Sequence, residues 1–292
     1  MKKRIVVGSR ESRLAVVQAQ TLVDFINGHC PEHEAVLITM KTTGDKILDR
    51  RLDQVGGKGL FVKELEKALL EHQIDLCVHS LKDVPMVVAE ELPIVGCSRR
   101  EDVRDVLVLP EGEKELDPGL AIGSSSLRRM MQLHNIYPKM RTETVRGNVL
   151  TRLRKLDEGE YGALVLAAAG LTRLGLQHRI SRYFTTEEML PAGGQGILAV
   201  QGRAGEDVSW LDGFFDADAG MAARAERAFL RELDAGCSSP IAAYATVKDG
   251  VLTLEGYCDT YNGRFERERA TGSAADAEQI GIGLARYMRD GM

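Results

Sequence analysis

The residues with the clearest chemical meaning lie between Leu120 and Lys155. The stretch opens L-A-I-G-S-S-S-L-R-R and closes V-R-G-N-V-L-T-R-L-R-K. Between positions 123 and 154, Arg128, Arg129, Lys139, Arg141, Arg146, Arg152 and Arg154 face a single acid, Glu143, in a chain of formal net charge -5. A local cationic excess in an acidic chain points to an anionic ligand. Leu120–Ile122 reads as a buried strand, followed by Gly123, then Ser124, Ser125 and Ser126, then a helix opening at Leu127. A strand, a small-residue loop and a helix N-terminus offer backbone N–H groups, hydroxyls and the helix dipole to one anion. The flat guanidinium fork suits carboxylate or phosphate oxygens. The alternative is an ordinary capped helix with solvated arginines.

Two further residues stand out. Asp83, in H-S-L-K-D-V-P, follows an apolar strand beside Lys82, and Pro85 fixes the turn. Such a carboxylate could move protons or stabilise a cation, or it could simply cap its own turn. Cys237, in D-A-G-C-S-S-P, lies in a loop after a helix, whereas Cys77, Cys97 and Cys258 fall in strand patterns as core thiols. It could be a nucleophile or covalent anchor, or an unremarkable loop thiol. H-C-P-E-H (29–33) lacks a second ligand pair, so no metal site is expected. G-G-K-G (56–59) lacks the Ser or Thr of a phosphate loop. R-A-E-R-A-F-L-R-E-L-D (224–234) reads as a solvated helix face of alternating charge.

The elements that position these groups can be read from periodicity. Ile5–Val7, then G-S-R-E-S-R, then an apolar helix pattern from Leu14 repeats the strand–Gly-Ser–arginine–helix order. Thr42–Gly59 is a long charged, glycine-rich loop of the kind that serves as a lid. A basic-Gly pair, a helix and a strand occur twice, at Lys58-Gly59 with 75–80 and at Arg146-Gly147 with 163–168. Two similar α/β lobes with ligand between them are expected. L-P-A-G-G-Q-G (190–196) would return the chain to the first lobe. A helix over 219–235 with Gly236 as its cap, a hairpin around K-D-G, a third strand and a closing helix predict a small α+β domain.

At 292 residues, with 44% hydrophobic and 28% charged residues, the chain has the composition of a soluble globular protein of two or three domains. The start M-K-K-R-I-V-V lacks the apolar stretch of a signal peptide, and no run reaches a membrane span. Five cysteines without C-x-x-C fit reduced thiols in a cytoplasmic protein. The acidic balance and the single Trp210 give no support for nucleic-acid binding.

Taken together, G-S-R-E-S-R-L-A, V-G-G-K-G-L-F-V-K-E-L-E, V-H-S-L-K-D-V-P, G-S-S-S-L-R-R, R-G-N-V-L-T-R-L, A-A-A-G-L-T-R-L-G, P-A-G-G-Q-G and A-G-C-S-S-P resemble the porphobilinogen deaminase (hydroxymethylbilane synthase) family, in family order and over nearly the whole chain. The resemblance implies two periplasmic-binding-protein-like lobes with parallel-rich mixed sheets plus a small antiparallel α+β domain. The expected domains are 1–98 with 194–216, 99–193, and 217–292. It implies a transferase that condenses four porphobilinogen molecules head to tail, releasing ammonia, and hydrolyses the product to hydroxymethylbilane. A monomer that hands its product to the next pathway enzyme is expected.

The resemblance also implies residue roles. Cys237 would carry a dipyrromethane cofactor through a thioether, and Asp83 would be catalytic, assisting loss of the amino group and stabilising azafulvene and pyrrolenine cations. Lys82, Ser80, Ser124, Ser126, Arg128, Arg129 and Arg146 would hold the cofactor together with Asp83. Arg10, Ser12, Arg146, Arg152, Arg173, Gln195 and Lys58 would hold substrate, Lys58 from a mobile loop. Asp83 is expected to be a buried acid among arginines not paired within the protein. Departures from the family pattern are Gln54 for lysine, Arg13 for proline, Ser239 for a larger residue and V-Q-G-R (200–203) for I-E-C-R. The competing class is a two-lobed binder of an anion or solute without catalysis.

Overall fold

The computed structural model describes residues 2–42, 62–235, 239–260 and 264–291. In chain order it contains β1 (Lys3–Arg10), α1 (Arg13–His29), β2 (His33–Met40), α2 (Lys63–Leu70), β3 (Leu76–Ser80), β4 (Ile94–Cys97) and β5 (Asp105–Val108). There follow β6 (Ile122–Gly123), α3 (Leu127–Ile136), β7 (Thr142–Glu143), α4 (Val149–Asp157), β8 (Ala163–Ala167), α5 (Ala168–Arg173) and β9 (Arg182–Tyr183). The chain closes with β10 (Leu198–Gly202), α6 (Ala217–Glu232), β11 (Ala242–Lys248), β12 (Val251–Asp259), β13 (Phe265–Ser273) and α7 (Ala277–Asp290).

Two five-stranded sheets share one plan, with strand orders β2-β1-β3-β10-β4 and β7-β6-β8-β5-β9. In the first, β1 pairs in parallel with β2 and β3, while β10 runs antiparallel to β3 and β4. In the second, β6 pairs in parallel with β7 and β8, while β5 runs antiparallel to β8 and β9. Each sheet is therefore mixed and holds one strand contributed by a crossing segment. The chain leaves the first sheet after β4 and enters the second as β5; it returns as β10. The inner strands read as unbroken apolar runs because both faces are covered. Every residue of Leu164–Leu166 in β8 and of Leu76–Val78 in β3 is buried.

Local chemistry explains the helices around the cleft. Ser12 caps α1, its Oγ accepting from Ala15 N at 3.4 Å, and Ala15, Ala19, Leu22, Val23 and Ile26 bury one stripe against the first sheet. Each large member of that stripe contributes about 1.5–3 kcal/mol relative to exposure. Asn148 caps α4 by accepting from Thr151 N at 3.0 Å. The third unit is antiparallel, in the order β11-β12-β13. Its hairpin turns at Asp249 (φ 51) and Gly250 (φ 76), the two left-handed residues that a tight K-D-G turn requires. α6 and α7 cover it through a core that includes Phe229, Leu254 and Ala285.

The expected solvated face of α6 is corrected. Glu226 is fully buried, and both its carboxylate oxygens bond Arg100, at 2.8 and 2.7 Å. It also accepts from the backbone N–H groups of Gly194 and Ala245, at 2.7 Å each. A buried carboxylate survives only when paired and saturated in this way. One side chain thus ties the segment after β4, the segment before β10 and the C-terminal unit together. The predicted Gly236 cap lies outside the described residues.

Candidate active site

The turn that ends β3 carries Asp83. Leu81 and Val84 are buried and anchor the 3-10 turn Leu81–Asp83, with Leu81 N donating to Ile197 O at 3.0 Å and Val84 N to Leu81 O at 3.1 Å. The anchors leave Lys82 and Asp83 directed to the cleft. Asp83 is exposed rather than buried, which corrects the expectation: the packing falls on residues 81 and 84, and the acid occupies the open side. With Arg10, Ser12, Gln18, His79 and Ser80 it lines one cavity. Gln18, buried on α1, donates to Ser80 Oγ at 2.9 Å and fixes that hydroxyl. His79 Nε2 lies 3.0 Å from Gln201 Oε1 and 3.1 Å from Cys77 Sγ. Burial pushes its pKa down to about 4, aided by Arg10 and opposed by the Gln201 bond and Asp83, so the imidazole is neutral.

The opposite wall belongs to the second sheet. Ser124 is buried, its Oγ accepting from Ser126 N at 3.2 Å, and Ser126 begins α3. Arg128 and Arg129 depart from the expected unpaired arginines, because both pair with Asp105 at the start of β5. Arg129 donates to Asp105 Oδ1 through Nε at 3.0 Å and Nη2 at 2.7 Å. Arg128 Nη1 sits 2.7 Å from Asp105 Oδ2 as an ion pair without an aligned hydrogen bond to that oxygen, and Nη1 donates to Leu190 O at 2.6 Å. Burial alone would raise the pKa of Asp105, but Arg128 and Arg129 hold it well below the usual carboxylate range. Two cations share one anion, so a net positive charge remains. Arg128 Nε is buried without a hydrogen-bond partner among the described residues.

Arg146, Arg152 and Arg173 complete this wall. Arg152 Nε donates to Gly147 O at 2.7 Å, and Arg173 Nη2 to Gly196 O at 2.7 Å. Neither enters an ion pair among the described residues. Burial pushes the pKa of Arg152 down to about 10; Arg129 and Arg146 add to this, while Asp83 opposes it. The carboxylate of the first lobe therefore lies within electrostatic reach of the arginines of the second. Arg146 is half-buried and makes no hydrogen bond or ion pair among the described residues.

Gln195 joins the walls. Its Nε2 donates to Val103 O at 2.7 Å and Asp105 Oδ1 at 2.9 Å, while its Oε1 accepts from Lys82 Nζ at 3.1 Å. The preceding Gly194 has φ +77, and an added Cβ would stand 3.0 Å from Lys82 N and 2.8 Å from Leu81 Cγ. Only glycine lets the return segment pass so close to the Asp83 turn. Cys237 and Lys58, like Gln54, lie outside the described residues.

Asp105, Glu226, His79, Gln18 and Gln201 were missed by sequence reasoning. A signal existed for Glu226, which falls between Ala222 and Phe229 on the apolar stripe of its helix. Among the described residues, no three His, Cys, Asp or Glu side chains are grouped to hold a metal. Cys30 is buried, its Sγ donating to Trp210 O at 3.3 Å, and His33 stacks on Trp210, so H-C-P-E-H serves packing. No helix among the described residues is long and apolar enough to cross a membrane.

Arginines in excess of carboxylates, an acid across from them and a lysine between mark the cleft of a two-lobed α/β protein. Residues 5–209 match the family profile "Porphobilinogen deaminase, dipyromethane cofactor binding domain", and residues 221–290 match "Porphobilinogen deaminase, C-terminal domain". The chain is 52% identical over 288 residues to the porphobilinogen deaminase of Acetivibrio thermocellus, covering 99% of each chain. It is 53% identical over 287 residues to that of Alkaliphilus oremlandii, covering 98% of this chain and 97% of the other. The chain belongs to the porphobilinogen deaminase family and contains the family's dipyromethane cofactor-binding domain.

Proposed function

We propose that Asp83 is the reacting carboxylate of a transferase that condenses four porphobilinogen molecules head to tail, with loss of ammonia, and releases hydroxymethylbilane. The observation that carries this is the placement of Asp83 on the open face of its turn, within electrostatic reach of Lys82 and Arg152. Each pyrrole brings two carboxylates, so the growing chain needs cations that the protein has not neutralised itself. A cationic pyrrole formed on loss of ammonia needs a carboxylate beside it.

The residues fit a dipyrromethane bearing acetate and propionate groups. Arg128 Nε and Arg146, which have no partner among the described residues, and the shared Asp105 leave donors for carboxylates, and Ser124, Ser126, Ser80 and Lys82 add neutral and cationic donors. When bound, the cofactor supplies the pyrrole carbon nucleophile for the first condensation. Arg10, Ser12, Arg146, Arg152, Arg173 and Gln195 would orient incoming porphobilinogen, with Lys58 adding a further cation. Asp83 Oδ would accept the proton released at the reacting carbon and stabilise adjacent positive charge. Cys237 would anchor the cofactor through a thioether. The domains inferred are 1–98 with 194–216, 99–193 and 217–292, working in the cytoplasm, which the four free cysteines among the described residues support.

Intact mass and turnover test this together. The purified protein should carry a covalent adduct that is lost in Cys237→Ser, and Asp83→Ala should keep the fold while losing nearly all turnover. A bare chain with bound anion would indicate a solute binder, and normal turnover in Asp83→Ala would refute the role of that carboxylate.

A further inference from the structure

The Arg227 side chain gives its hydrogen bonds to the backbone just downstream of Asp83. Nη1 donates to Val84 O at 3.3 Å, and Nη2 donates to Pro85 O at 2.5 Å and to Met86 O at 3.1 Å. Arg227 is half-buried on α6 and forms no ion pair among the described residues. A guanidinium withdrawn from water without a carboxylate is costly, and three charge-assisted bonds to carbonyls are its compensation. Burial and Arg231 depress its pKa, with Cys97 opposing.

The rest of α6 prepares this contact. Ala219, Ala223 and Arg227 follow one another at four-residue spacing, one above the next on a single helix face. Ala219 and Ala223 are buried in a cluster with Leu81, Val84 and Ile197. The two small side chains let α6 lie against the 81–84 turn, and the arginine one turn further on grips the carbonyls beyond it. Pro85 has no N–H, so the turn cannot be tied there by a donor of its own. On its other side the turn is held by Leu81 N to Ile197 O and Val84 N to Leu81 O. Asp83 therefore projects from a backbone fixed at both ends, and one end is fixed by the C-terminal unit.

We propose that Arg227 is a positioning residue for the reaction: by holding the carbonyls of residues 84–86 on α6, it sets where the Asp83 carboxylate stands. It touches neither substrate nor cofactor and acts through Asp83. This rests on Asp83 being the reacting carboxylate. It goes beyond the cleft residues, because it assigns a role in the chemistry to the outer helix that leads in sequence to Cys237. Lysine at this position could reach one or two of the three carbonyls but could not present the fork.

The test uses the full-length, cofactor-loaded protein with porphobilinogen as substrate. Arg227→Gln should retain the covalent adduct by intact mass and keep KM within about twofold, while kcat per loaded site falls by up to about 100-fold, the scale of an ångström-sized misplacement. Arg227→Lys should recover part of that loss, and it supplies the comparison if the glutamine variant does not accumulate. Single-turnover condensation in a cycle with Asp83→Glu separates the causes. If Arg227 acts through Asp83, the loss from Arg227→Gln shrinks when residue 83 is already displaced. Unchanged kcat per loaded site, or losses that multiply independently in the cycle, would overturn the proposal. Undiminished turnover in Asp83→Ala would instead remove the reading of Asp83 itself.

Discussion

Gln195 and Asp105 meet at 2.9 Å where the return segment before β10 passes the start of β5. Through this contact Asp105 is joined to Lys82 of the first lobe, while its other bonds go to Arg128 and Arg129 of the second. The acid that the cationic stretch lacks is supplied from outside it. Asp105 sets the orientation of two of the arginines and leaves them with surplus positive charge.

Asp105→Asn should therefore cost stability as well as cofactor. Removing the anion leaves two nearly inaccessible guanidinium groups without compensation, a change worth about 3–5 kcal/mol. Denaturant titration is expected to show that loss, and intact mass a reduced adduct fraction. Adding Arg129→Met should recover part of the stability, because one uncompensated cation is removed. Equal stability of Asp105→Asn and the parent would contradict the pairing.

Lys82 should give the reaction an alkaline limb. Burial first, and Arg129 next, push its pKa down to about 8 against the pull of Asp83 and Asp105. Below that pH the ammonium can bind a carboxylate; above it the charge is lost. Values of kcat/KM for porphobilinogen are expected to fall with an apparent pKa near 8, and Lys82→Gln should abolish this limb while lowering the plateau. The linked effect on stability has the opposite sense. The folded pKa lies below the ordinary 10.5, so the unfolded chain binds more protons between about 8 and 10.5, and through this group stability rises with pH there. Melting temperatures of the parent and Lys82→Gln across that window check the sign.

His79 should report the change from glutamate to Gln201. Gln201, Cys77, Arg10 and Asp83 surround or act on the imidazole, with Glu66 reached through Gln201 Nε2 at 3.1 Å. The folded pKa is about 4 against an ordinary 6.5, so the unfolded chain takes up the proton first and stability is lost as pH falls through that interval. Gln201→Glu would place a carboxylate about where Oε1 lies, 3.0 Å from Nε2, and should raise the His79 pKa toward or above its ordinary value. An NMR titration of the His79 ring in both proteins measures this directly; an unmoved pKa would show that the contact is not made.

The strand–small loop–helix order at β1–α1 and β6–α3 was legible because it rests on local signals: an apolar run, glycine and serine, then helical spacing. The K-D-G hairpin was legible for the same reason, and its two left-handed residues are present. Asp105 was not legible. In R-E-D-V-R-D it looks like a member of a solvated link, and its burial follows only from β5 lying between β8 and β9 with α3 against its first residue. For Glu226 the helical stripe signals burial, but its partner Arg100, 126 positions away, is not announced by any local pattern. The exposure of Asp83 also escaped, because a turn's sequence does not say which of its residues will be packed. Sequence chemistry identified the cations, whereas the acids that arrange them depend on contacts between distant segments.

The position of β10 also bears on synthesis of the protein. β4 is hydrogen-bonded to its sheet only through β10, which is made about a hundred residues later. At typical translation rates of about 5–20 residues per second, the emerging N-terminal portion waits roughly 5–20 seconds with an open sheet edge on β3. Chaperone association and aggregation of nascent chains should be greatest in that interval, and chains truncated just before Leu198 should expose a strand edge that the finished protein never shows.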